Sequence, residues 1–234
     1  MAEIRERPDL VVVPRSRRML LQQLSHRPQT VVGLASGRPL EDIDRLIPEA
    51  AQAGWPVIAA HGALVREGRA TRLRLAQDAI EAVSQLGEEI RPLVKEYPGS
   101  LLELKTGALA WHWRLLDPAQ VPALTAALDR LLRQYPSLRR HPAKMAWEVR
   151  PYPGPNKGEA IEEIVRGRAG PDWPSAACLI VVGDDATDEE AFRWLGRRAL
   201  SVRIGSEATE TSAQFQLPDP DALEALLALF LAQF

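Results

Sequence analysis

The chain has 234 residues, 46% hydrophobic and 26% charged, which suits a soluble globular protein with one good core, or one core and a small second domain. A formal net charge of −2 gives no overall attraction to nucleic acid or to an anionic membrane, so any phosphate binding has to be local. One cysteine excludes an internal disulfide, no apolar run approaches the roughly 20 residues that cross a bilayer, and the charged start is not a signal sequence. The expected compartment is the reducing cytoplasm.

Residues 1–14 read as an irregular lead-in containing Val11-Val12-Val13, followed by a helix from about Ser16 to His26. Thr30 to Ala35 is the first apolar run with the character of a buried strand, and it ends in Ser36-Gly37-Arg38-Pro39. Pro39 suits the first turn of a helix, and Glu41 and Asp42 complement the positive end of that helix. Ser36 therefore sits at a strand tip beside a helix start, where its hydroxyl and the neighbouring amides can hold a phosphate oxygen; an N-cap serine is the other reading. Val57 to Ala60 is a second short strand, leading to His61-Gly62-Ala63, where a lone histidine is more often structural than catalytic.

Residues 69–150 change character and read as an inserted domain. The helix around Ala76 to Tyr97 aligns Ile80, Val83, Leu86, Ile90 and Val94. Period-two alternation then places Leu102, Leu104, Leu109, Trp111 and Trp113 on one sheet face and Glu103, Lys105, His112 and Arg114 on the other. A helix over about Val121 to Tyr135 precedes a strand in which Met145, Trp147 and Val149 alternate with Lys144, Ala146 and Glu148. An α+β insert with one apolar and one mixed-charge face fits this pattern. The charged face reads either as a solvated sheet surface or as a surface for a sugar phosphate, whose hydroxyls need carboxylates and whose anion needs Lys or Arg.

Lys157 follows a proline-rich loop and lies at a helix start, where a cation gains nothing from the helix dipole, so an anionic neighbour is expected. No Gly-rich nucleotide loop surrounds it. Cys178 to Val182 reads as a strand covered on both faces, with Cys178 as core filling; Gly183 permits a turn, and Asp184 and Asp185 stand at the strand's carboxyl end, where α/β sheets place ligands. Adjacent carboxylates without His or Cys nearby suit Mg²⁺. Thr187 with Glu190 is the expected capping box of the next helix, and Asp188, Glu189 and Glu190 have an ordinary reading as first-turn acids. A last strand over Ala199 to Ile204 and an apolar docking helix over Ala222 to Phe234 complete a doubly wound α/β parallel sheet.

The order Ala35-Ser-Gly-Arg-Pro-Leu40, His61-Gly62, Glu103-x-Lys105, His112-Trp-Arg114, Glu148-Val-Arg-Pro151, Asn156-Lys-Gly158 and Gly183 to Glu189 resembles the haloacid dehalogenase-like phosphohydrolases and, within them, the trehalose-6-phosphate phosphatases. The resemblance implies a core in two segments, 1–68 and 151–234, with an α+β cap over 69–150. It implies Mg²⁺-dependent hydrolysis of trehalose 6-phosphate to trehalose and phosphate, the last step of trehalose biosynthesis. Ser36 and Lys157 are then similar to the residues that bind and neutralise the phosphoryl group, and Asp184 to the Mg²⁺ ligand, with Asp185 supporting the site. Glu103, Lys105, Arg114 and Glu148 resemble sugar-contacting cap residues, and Arg38, His61 and Arg150, in the matching motifs, are likewise expected to bind substrate. The family reaction is attack on phosphorus by an aspartate, giving an aspartyl-phosphate that water hydrolyses.

The family's first motif, Asp-x-Asp-Gly-Thr, does not occur in this sequence. That motif carries the nucleophile and ends the central strand, and Ala2 to Pro8 resembles the segment directly after it in relatives. The first strand is therefore expected to be missing, and this chain to be N-terminally shortened and inactive as written. The alternatives are another sugar-phosphate phosphatase of the superfamily, or a nucleophile-free relative that binds a sugar phosphate or a partner.

Overall fold

A computed structural model describes residues 12–205 and 210–233. The chain divides into two compact units: one runs to Leu73 and resumes at Asn156, and the other spans Arg74–Pro155. The boundaries expected at 69 and 150 each fall five residues early. Residues 70–73 form a strand paired with the first unit, which the sequence pattern does not reveal because all four are exposed.

The first unit begins with α1 (Arg15–Ser25), β1 (Leu34–Ala35), α2 (Leu40–Leu46), α3 (Pro48–Gln52) and β2 (Val57–Ala59). β2 pairs parallel with β1 and antiparallel with β3 (Leu64–Glu67), which pairs with β4 (Ala70–Leu73). Alternation along β2 covers both of its faces. Val57 and Ala59 pack with Leu21, Ile43, Ile47 and Trp55, while Ile58 packs with Val65, Ala160 and Ile164. The last two belong to α6 (Lys157–Ala169), which places that helix on the opposite side of the sheet from α1 to α3, as in a doubly wound fold.

After α6 come α7 (Trp173–Ala176), β9 (Ile180–Gly183), α8 (Ala186–Leu195), β10 (Leu200–Ile204), β11 (Phe215–Leu217) and α9 (Pro220–Gln233). β9, β10 and β11 form a parallel three-stranded sheet with β10 in the middle. Among the described residues no strand joins β1 to β9. The consequence corrects two expectations. β1 spans two residues rather than the six of Thr30 to Ala35, and Cys178 is exposed rather than core filling. Among the described residues β9 pairs only with β10, and Ile180 is 40% exposed. Residues 1–8, on which the first-motif comparison rests, lie outside the described set.

The second unit packs α4 (Gln77–Leu93) and α5 (Val121–Leu132) on one face of an antiparallel sheet. Its strands are β5 (Leu101–Lys105), β6 (Ala108–His112), β7 (Leu138–Ala143) and β8 (Ala146–Pro151), in the order β5-β6-β8-β7. Val83, Leu86 and Ile90 meet Leu109, Trp111, Leu124, Leu128 and Val149 in one cluster. β7 carries Pro142 and three charged or imidazole side chains, which hides it from a propensity reading; as an edge strand it tolerates the proline. Met145, expected in the apolar face of β8, instead occupies the β7–β8 turn at φ +55°.

Candidate active site

β9 ends in Gly183-Asp184-Asp185, and α8 starts at once. Its N-cap is Asp185, not Thr187: Asp185 Oδ1 accepts from the backbone N–H groups of Thr187 and Asp188, each at 2.8 Å, and from the Thr187 hydroxyl at 2.7 Å. Asp188 completes the box in place of Glu190. Its Oδ2 accepts from Asp184 N at 2.8 Å and Asp185 N at 3.1 Å. The carboxylate folds back over Gly183, where an added Cβ would lie 2.3 Å from Asp188 Cγ, so this turn requires glycine for space.

The other oxygen of Asp188 accepts from Lys157 Nζ at 2.7 Å, and Asp185 Oδ1 lies 3.5 Å from the same ammonium. Lys157 is the first residue of α6, whose N-cap is Asn156, and only 3% of its side chain is exposed. The anionic neighbour expected from its unfavourable helix position is thus a carboxylate of the α8 N-terminus. Burial works to raise both aspartate pKa values. For Asp185 the nearby Lys157, Thr187, Asp188 N–H and His61 together bring the pKa below the ordinary carboxylate value. For Asp188 burial and the repulsion of Asp185 outweigh Lys157 and hold the pKa above it.

A second loop is tied to this cluster. His61 N donates to Ser36 O at 3.1 Å and Ala60 N to Arg38 O at 2.9 Å, while Arg38 N donates to Ser36 Oγ at 3.2 Å. Ser36 is therefore not a helix cap; α2 starts after Pro39. Ala60, His61 and Gly62 have φ of +47°, +56° and +100°, a strained run of the kind that clusters at functional sites. It seats the His61 ring on Gly37 and Gly62 against Asn156, leaving no room for a Cβ at either glycine. Arg38 ion-pairs with Asp42 at 3.7 Å. Asp184 is exposed at the strand end, and no trio of metal-ligating His, Cys, Asp or Glu side chains occurs among the described residues.

In the second unit, the register aligns Glu103, Ala110, Glu148 and His141 in one row across the sheet. Ala110 has no reach, so Lys105 crosses above it: its Nζ lies 3.2 Å from Glu148 Oε1 and 3.8 Å from Glu103 Oε2. Arg150 Nε is 3.9 Å from the other oxygen of Glu148, which is buried. His112 Nε2 stands 2.9 Å from Glu103 Oε2. That hydrogen bond is the largest influence on Glu103 and lowers its pKa, against a smaller opposing effect of burial and with help from Lys105. Arg114 is not brought into this group. β6 ends at His112, so the alternation stops, and Arg114 lies on an exposed turn without a described hydrogen bond or ion pair to Glu103, Lys105 or Glu148.

The trehalose-phosphatase family model matches residues 1–221. The trehalose-6-phosphate phosphatase of Escherichia coli K12 is 32% identical over 219 residues, covering 91% of this chain and 76% of that protein. The chain belongs to the trehalose-phosphatase family. Among solved structures, a trehalose-6-phosphate phosphatase related protein superposes with a TM-score of 0.79 at 26% identity, over 99% of this chain and 93% of that one. The C-terminal domain of the Candida albicans trehalose-6-phosphate phosphatase gives a TM-score of 0.80 at 20% identity, over 100% and 89%, a likeness of fold.

Sequence reasoning about this trehalose-phosphatase family chain left Asp188 among first-turn acids, although the structure makes it the anchor of Lys157. The available signal was its spacing: three residues after Asp185, it sits at the N3 position that reaches back to an N-cap. Glu189, likewise read as a first-turn acid, is buried and accepts from Arg203 at 2.9 Å, Thr211 at 2.6 Å and the Ser212 backbone at 2.7 Å, so it straps the segment after β10 to α8.

Proposed function

We propose that this chain binds trehalose 6-phosphate and carries the substrate-binding part of its family's reaction, removal of the phosphoryl group to leave trehalose and phosphate. Each unit is read by itself: Ser36 and Lys157 of the first form a phosphoryl-binding group, and Glu103, Lys105, Glu148 and Arg150 of the second form a group suited to sugar hydroxyls. The reading rests above all on Lys157, an almost fully buried ammonium held at a helix start by Asp188 and joined through Gly62 to the Ser36 loop. With Asp188 and Asp185 taking two of its three N–H donors, the third is oriented before an anion arrives, so little rearrangement is needed to meet a phosphoryl oxygen. Asp185 holds the turn that carries Asp184. The proposed compartment is the cytoplasm; no described helix is long and apolar enough to cross a membrane.

Mg²⁺ is the metal generally used by phosphatases of this superfamily. The residues present fit it in one respect: Asp184 offers a hard carboxylate, and Mg²⁺ is commonly held by one or two carboxylates with water and phosphate oxygens completing its shell. Bound there it would supply Lewis-acid neutralisation of the phosphoryl oxygens. With inorganic phosphate present, Mg²⁺ is expected to raise the melting temperature of the chain and to leave that of Asp184→Ala unchanged. Equal shifts in both would remove Asp184 from any metal role.

The chain's own residues bind and neutralise; among the described residues none is an aspartate at the end of the central strand placed to attack. The two Asp-x-Asp pairs in the sequence are Asp42-Ile-Asp44 in α2, with Asp44 held by Arg66 at 2.7 and 2.8 Å, and Asp219-Pro-Asp221 at the start of α9. Neither ends a strand. Calorimetry is therefore expected to detect trehalose 6-phosphate binding by the 234-residue chain, while phosphate release stays at the blank value. Release by this chain itself would overturn the aspartate-nucleophile reading, and an assay run beside it on a form extended upstream of Met1 separates a phosphatase from a binding relative. Glu148→Ala is expected to weaken trehalose 6-phosphate by about tenfold or more, the cost of losing a buried charged partner, with inorganic phosphate affinity unchanged. Equal losses would sink the division of labour between the two clusters.

A further inference from the structure

We infer that His112 is a positioning residue for sugar recognition, acting by fixing one oxygen of Glu103 so that the other is presented to a hydroxyl of the ligand. The inference rests on the proposed role of Glu103 and goes beyond it. Glu103 has a difficulty that its row-mate Glu148 does not. Glu148 is buried between Lys105 and Arg150, whereas the Glu103 side chain is 38% exposed on the edge strand of the sheet. Its in-register neighbour is Ala110, which has nothing to donate.

Lys105 does not supply the missing hold. Its Nζ is closer to Glu148, at 3.2 Å, than to Glu103, at 3.8 Å, beyond hydrogen-bond distance. His112, diagonal to Glu103 across the β5–β6 pair, does: Nε2 to Oε2 is 2.9 Å. Both His112 and Lys105 address the same atom, Oε2. Oε1 has no hydrogen-bond partner among the described residues. A carboxylate pinned at one oxygen by a neighbour's N–H and open at the other is oriented to accept a hydroxyl proton, and an oriented side chain binds without losing rotamer freedom at that moment. The imidazole suits this task because its ring is rigid and because the Nε2–H tautomer donates without needing a charge. The ligand class is a polyhydroxylic sugar phosphate, with the hydroxyl and not the anion as the group Glu103 reads.

The test is calorimetric titration of the whole chain with trehalose 6-phosphate and, separately, with inorganic phosphate, for the parent, Glu103→Ala, His112→Leu and His112→Gln. His112→Leu is expected to raise the Kd for trehalose 6-phosphate about tenfold and to leave that for inorganic phosphate unchanged. His112→Gln, which keeps an N–H donor on a side chain of similar reach, is expected to recover most of the affinity, a rescue that loss of packing alone would not show. Near-ultraviolet circular dichroism from Trp113 and Trp147, whose ring centroids lie 5.3 Å apart, reports whether the sheet survives in each variant. If Glu103→Ala weakens the sugar phosphate but His112→Leu does not, or if Gln fails to rescue in a folded chain, the positioning role is wrong while the reading of the site stands. If the parent chain shows no affinity for trehalose 6-phosphate, both fall together.

Discussion

Asp188→Ala is expected to melt about 6–12 °C below the parent chain, the shift that corresponds to about 3 kcal/mol for a protein of this size. The variant strands Lys157, whose side chain is 3% exposed and whose 2.7 Å partner is the lost carboxylate. Breaking a buried pair by removing one member costs about 3–5 kcal/mol because the other charge remains desolvated. The parent pair is itself imperfect, since burial and Asp185 repulsion hold the Asp188 pKa up, and the lower end of that range is therefore expected. The same substitution removes the acceptor for two backbone N–H groups, Asp184 and Asp185. Asp188→Asn, which keeps the size and one oxygen, separates the effects: it retains a backbone acceptor and loses the charge. A melting temperature for Asp188→Ala within about 2 °C of the parent would show that Lys157 reaches water or Asp185 when released, and would remove the idea of a pre-oriented ammonium.

Gly62→Ala is the second large effect, about 2–4 kcal/mol of destabilisation read by denaturant unfolding. Gly62 has φ +100°, which an L side chain resists, and the added Cβ would lie 2.5 Å from Asn156 O and 2.6 Å from its carbonyl carbon. Those are backbone atoms at the N-cap of α6, so relief requires moving the start of the helix that carries Lys157. Phosphate affinity is therefore expected to fall together with stability. Gly167→Ala, on the same α6, provides the contrast: nothing lies within 4 Å of its new methyl, and a helix-interior glycine replaced by alanine is expected to stabilise by about 0.5–1 kcal/mol. Two glycine-to-alanine changes of opposite sign, one in the loop that abuts the start of α6 and one within α6, test the reading of the loop rather than the residue type.

The amino-acid sequence by itself determined the alternation of buried strands with helices, the α+β insert with its apolar and charged faces, and the family. These are properties of local pattern: β2 declares itself by a short apolar run, β5, β6 and β8 of the insert by a period of two, and α4 by Val83, Leu86 and Ile90 on one side. It also placed Ser36, Lys157 and Asp184 at element ends, because turns, caps and strand tips are written in neighbouring residues. Only the tertiary structure decided who partners whom. Capping passed from Thr187 to Asp185 and from Glu190 to Asp188, since the helix start is fixed by where β9 ends and by what Lys157 must neutralise. Ile180 was legible as a strand residue but not as an exposed one, and Cys178, read as the start of that strand, lies two residues before it and is exposed, because what packs against a segment leaves no mark in its own spacing. The strand β7, with its proline and its arginines, and the reach of Lys105 across Ala110 to Glu148 have the same origin: they arise from cross-strand register, a long-range property that sequence-local reasoning does not contain.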